Sequence, residues 1–158
     1  MKPVYTLIAV LAACLVATAC EGTGNPFAGS QWDVGVHHVS FSHGVAEWNT
    51  AENRLELKFD LLSGATYPNA LVVVDEVTTL TINSPREVTV RINISQNLSY
   101  EADPAFSGAN ATVTFTRLDL DPLGAVSGTI DGTVRDVLNP TDPPVALQAT
   151  FADMIVTN

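Results

Sequence analysis

The chain has 158 residues, 17 acidic against 7 basic side chains, and a formal net charge of −10. That length fits one domain, and an acidic surface with scattered arginines repels phosphate backbones and anionic headgroups, which excludes nucleic acid as a partner. Both cysteines, Cys14 and Cys20, lie in the first twenty residues, so the remainder is expected to hold together without disulfides, as a domain of this size can.

The chain opens on a short cationic start, Met1-Lys2, followed by an uncharged and mostly apolar run over 4–16. A membrane-spanning helix needs about 20 apolar residues, so this run is too short to cross a bilayer and has the size of a secretory h-region. Small residues follow at Ala17-Thr18-Ala19, an A-x-A-like cleavage site, and then Cys20. Val16-Ala17-Thr18-Ala19-Cys20 resembles the lipobox of bacterial lipoproteins. The resemblance covers residues 1–20 only. It implies cleavage before Cys20, diacylation of its sulfur and acylation of the new amino terminus. Leu11-Ala12-Ala13-Cys14 is a second match, nearer the ideal in its residues. Cleavage there would leave a very short h-region and an apolar LVATA tail, whereas cleavage at Cys20 leaves the polar Glu21-Gly22-Thr23-Gly24-Asn25-Pro26, which suits a tether. Cys20 is therefore the expected site of lipid attachment. Several acyl chains on one residue anchor firmly, so the domain needs no membrane-binding face of its own. Glu21 stands where aspartate is the usual inner-membrane retention signal in enteric bacteria, which favours the outer membrane.

The expected organisation is a signal peptide over 1–19, a tether over 20–30 with breakers at Gly22, Gly24, Pro26 and Gly29, and one domain over 31–158. A first strand is expected over 31–41 (QWDVGVHHVSF), with Gly35 marking a bulge, and a short one over 44–49 (GVAEWN). The clearest is 54–62, where Leu55, Leu57, Phe59 and Leu61 alternate with Arg54, Glu56, Lys58 and Asp60, a half-buried strand with one wet face. After a loop over 63–69, the β-branched run 71–82 (LVVVDEVTTLTI) reads as one long strand bent at Asp75-Glu76. Asn83-Ser84-Pro85 turns the chain into a strand carrying Val88, Val90, Ile92 and Ile94 on one face. Residues 96–110 read as loop. A threonine-rich strand over 111–120 points Val113 and Phe115 inward and shifts parity near Leu118. Asp121-Pro122-Leu123-Gly124 carries the residues of a type I turn. The run 126–137 reads as one long strand, not a hairpin at Asp131-Gly132, because Asn139-Pro140-Thr141-Asp142-Pro143-Pro144 is the stronger breaker. Strands over 145–151 and 153–157 close the chain. No stretch after residue 20 has helical periodicity. About eight short strands between Gly/Pro/Asn/Asp turns predict an all-β fold, an antiparallel β-sandwich or small barrel.

The chemistry-bearing residues are sparse. His37, His38 and His43 cluster, but neighbours on a strand face opposite ways, and His38, His43 and Glu47 match no zinc spacing. Asp119-Leu120-Asp121-Pro122-Leu123-Gly124 starts like a calcium loop, then places Leu123 where an oxygen ligand is wanted and Ile130 at the bidentate position. No metal and no cofactor is expected. There is no nucleophile elbow, zincin motif or P-loop, and nothing selects a catalytic carboxylate pair. Trp32 and Trp48 could stack on sugar rings, although tryptophans in small β domains commonly pack into the core. Gly29-Ser30-Gln31-Trp32 resembles the Gly-x-Trp of lipocalins with one residue too many, which implies a ligand-binding barrel. The expectation is a lipid-anchored, non-enzymatic envelope module with a protein or glycan partner. The alternative is a small-ligand binder using Trp32 and Trp48.

Overall fold

A computed structural model describes residues 27, 29–103, 105 and 108–158. The export segment, Cys20 and most of the expected tether lie outside the described residues. Ten strands form one continuous sheet: β1 Ser30–Val34, β2 His37–Phe41, β3 His43–Asn49, β4 Arg54–Asp60, β5 Asn69–Asp75, β6 Pro85–Ser95, β7 Leu98–Ala102, β8 Ala111–Leu118, β9 Ala125–Asp136 and β10 Val145–Thr157. The all-β expectation holds, and the sheet closes into a barrel of seven strands through β3-β4-β5-β6-β8-β9-β10 and back to β3. An odd number of strands cannot alternate in direction all the way round. The unavoidable parallel pair is β10 with β3, Ile155 opposite Val45 through Thr157 opposite Glu47.

Two positions in the wall are each shared by two strands. β7 and β8 both lie between β6 and β9, with Ala102 opposite Val90 and Ala111 opposite Val88, so they share one strand path in the wall. Similarly, β1 and β3 flank the same edge of β10, β1 along Leu147 to Phe151 and β3 along Ile155 to Thr157. The β1–β2 hairpin thus extends the wall where β3 does not reach.

Burial follows the period of two. Leu55, Leu57 and Phe59 of β4, Val72 and Val74 of β5, Val90 and Ile92 of β6, and Val113 and Phe115 of β8 point inward and are enclosed. Phe59 sits in an aromatic group, with ring centroids 5.0 Å from Trp32, 5.9 Å from Phe41 and Phe151, and 6.2 Å from Phe27. Edge-to-face rings at such distances add to the stabilisation from area burial alone. Phe27 falls inside the stretch expected as tether, yet it is buried against this group.

Four local expectations are corrected. The run 31–41 is a hairpin, not one bulged strand: Val34 pairs with His37, and Gly35 (φ +59) opens the two-residue turn, a position that favours glycine. The run 71–82 stops being strand at Asp75, because Glu76 is left-handed (φ 56) and Val77–Thr79 forms a 3₁₀ turn. The 96–110 stretch contains β7, which buries Tyr100 and Ala102. The turn at Asp121 is closed by Gly124 N–H donating to Asp121 O at 2.7 Å, but Leu123 at φ 66 makes it type II. Its geometry is imposed from outside: Leu123 N–H donates to Val156 O, and Val156 N–H to Gly124 O.

Candidate functional site

The two tryptophans part company. Trp32, on the inward parity of β1 with Ser30 and Val34, is 1 % exposed and its Nε1 donates to Ser30 Oγ at 3.1 Å. It is a core residue with no ring face open to a ligand, so the expectation of Trp32 as a stacking platform is corrected. Trp48 shares its parity with Gly44 and Ala46 but lies beyond them, near the end of β3 and opposite Leu55. The wall runs out there and the ring is only half-buried.

Because β3 and β10 run parallel, their carboxyl ends finish side by side. Glu47, Trp48, Asn49 and Thr50 from one and Thr157 and Asn158 from the other line an open cavity of about 550 Å³. Glu47 is held by Lys58, whose Nζ lies 2.5 Å from it and 3.3 Å from Glu56. The hydrogen bond to Glu47 raises the Lys58 pKa above its ordinary value against a smaller opposing effect of burial. Asn49 Oδ1 accepts the N–H groups of Ala51 and Glu52, fixing the β3–β4 turn. Thr157 Oγ1 donates to Ala46 O at 3.4 Å. Glu47 takes the other parity of β3 from Trp48, on the wet face with Lys58, so what the cavity gathers around the ring is the amides and hydroxyls of the two strand ends. Such a set suits a polyhydroxylated ligand, which offers an apolar ring face to stack and hydroxyls to bond.

A second, smaller cavity of about 310 Å³ lies on the outer face where β1, β10 and β9 run side by side. Register places Asp33, Gln148 and Asp131 in one row across the strands, and Gln31, Thr150 and Thr129 in the next.

The histidines do not converge. His38 Nδ1 is 2.5 Å from Asp33 Oδ1, His43 Nδ1 is 2.5 Å from Asp60 Oδ1, and His37 tilts against Tyr100 at 6.1 Å. Among the described residues no three His, Cys, Asp or Glu side chains form a metal-binding group. The carboxylate of Asp119 turns back on its own loop, where Oδ1 accepts Asp121 N–H at 3.3 Å. Sequence reasoning singled out Trp48 but not Asn49, Thr50, Thr157 and Asn158. They meet only through the parallel β3–β10 pairing, for which the sequence carries no local signal.

Comparison of the chain with protein-family models, with curated proteins and with solved structures gives no match.

Proposed function

We propose that the protein is a lipid-anchored module of the bacterial envelope, held by acyl chains on Cys20, whose barrel binds a partner and performs no chemistry. The observation that carries this reading is the export segment that ends in small residues and Cys20, followed at once by polar sequence. The anchor supplies membrane attachment, leaving the domain free to present a binding surface on a closed, rigid wall. Replacing Cys20 with alanine tests it: an unprocessed precursor is expected, and normal processing with membrane retention would contradict it.

The Trp48 cavity favours a second reading, in which the bound partner is a glycan. One ring flanked by amides and hydroxyls is the arrangement that stacks on a pyranose and bonds its hydroxyls. Titration with pyranose oligosaccharides, followed by tryptophan fluorescence, tests this directly. The chain has two tryptophans and Trp32 is enclosed, so ligand-dependent quenching is expected to come from Trp48. It should vanish in Trp48→Phe; quenching that persists in that variant would contradict the assignment.

A further inference from the structure

We infer that the β4–β5 loop, residues 61–68, rests against the bilayer beside the lipid anchor and orients the barrel on the membrane. The inference rests on the lipid-anchor reading and adds a second contact that the anchor does not require.

Three observations meet at this loop. The first is the place of Phe27, which is buried in the barrel. The Phe27 ring packs onto Gly44, where an added Cβ would lie 2.8 Å from the ring, and its centroid is 6.2 Å from that of Phe59. Phe59 sits near the end of β4, three residues before Leu62, whose N–H donates to Ser42 Oγ at 3.2 Å. Ser42 in turn is two residues before Gly44. The chain therefore enters the barrel next to the loop.

The second is reach. Seven peptide steps separate Cys20 from Phe27, and even fully extended they span at most about 25 Å. A domain held on so short a connection keeps its entry point near the headgroups.

The third is the chemistry of the loop. From Leu61 to Val74 no residue is charged, in a chain of net charge −10. Leu62 is 68 % exposed and Tyr67 is 38 % exposed, side by side with Ser63, Gly64, Ala65 and Thr66. Leucine gains by leaving water and tyrosine prefers the interfacial belt. Elsewhere the acidic surface is repelled by anionic headgroups. The uncharged loop beside the entry point is the patch that can approach them at least cost.

The full lipidated protein in phosphatidylethanolamine–phosphatidylglycerol vesicles tests this, with an environment-sensitive fluorophore on Leu62→Cys. The control carries it on Ile82→Cys, an exposed site at the opposite end of β5. The expected result is a blue-shifted emission at position 62 with quenching by lipid-borne nitroxide at least about twofold greater than at position 82. Water-like emission at both sites, with the protein still on the vesicles, would overturn the inference and leave the anchor intact. Equal quenching at both sites, or a shift at 62 that follows protein concentration without lipid, would overturn it in favour of an unoriented domain or self-association. Protein that fails to stay on the vesicles would overturn the anchor reading and this inference together.

Discussion

Leu123 is a residue held in a conformation it does not prefer. It sits at φ 66 and is 80 % exposed, pinned through its backbone to Val156. A left-handed conformation costs an L-residue about 1–2 kcal/mol, while glycine's extra unfolded-state freedom costs about 0.5–1 kcal/mol. Leu123→Gly is therefore expected to raise the unfolding free energy by about 0.5 kcal/mol in urea titration; a loss of stability would mean the side chain makes a contact that matters. Asp136 gives the pH counterpart. The Asn139 amide, and behind it the Leu138 and Asn139 N–H groups, hold its carboxyl below the ordinary 3.8. A depressed folded-state pKa contributes stability that is present above the unfolded value and is lost as pH falls through the folded one. Asp136→Asn should thus lower stability near neutrality, and the gap from the wild type should close as pH falls below 3.8. A gap independent of pH would show a loss of shape and not of charge. At this scale much was legible in advance: the strict alternation in β4 gives Leu55, Leu57 and Phe59 their burial, and the same parity argument applied to Val34 places Trp32 in the core. The sequence could not supply the φ of Leu123, which is set by a backbone pairing with residues more than thirty positions away.

At the scale of the elements, the fold depends on close approach between β8 and β9. At Gly132 (φ +151) an added Cβ would lie 2.2 Å from Asn110 O and 2.7 Å from Ala111 Cα, at the point where β8 begins. Both the angle and the space exclude a side chain, so Gly132→Ala is expected to cost about 2 kcal/mol or more. Denaturant unfolding would measure it, and a loss below about 0.5 kcal/mol would mean that the Asn110–Ala111 backbone yields easily. Elements were legible where apolar and polar residues alternate, as over Leu55 to Phe59 in β4 and Val88 to Ile92 in β6, and lost where local chemistry misleads. β7 (LSYEA) buries only Tyr100 and Ala102 and reads as loop beside its polar neighbours. Val77 and Thr78 look like strand because they are β-branched, yet the left-handed Glu76 has already broken the ladder. The β1–β2 hairpin was signalled by a parity switch, from Trp32 and Val34 to Val39 and Phe41, that the turn at Gly35 explains.

For the whole molecule, the barrel closes through one short parallel contact, and that contact creates the Trp48 cavity by ending two strands together. Closure was within reach of the sequence, since many short strands point to a barrel or sandwich; the choice between them was not, because it turns on whether Ile155 to Thr157 meets Val45 to Glu47. In the proposed reading, architecture and anchor divide the work: a lipid on Cys20 would fix the protein to the envelope, while the closed wall carries the Trp48 cavity. The most direct test of that central claim is the intact mass of the protein extracted from bacterial membranes. A chain that begins at Cys20 and carries the added mass of acyl groups is the predicted result. A chain that begins elsewhere, or begins at Cys20 with an unmodified thiol, would contradict the account.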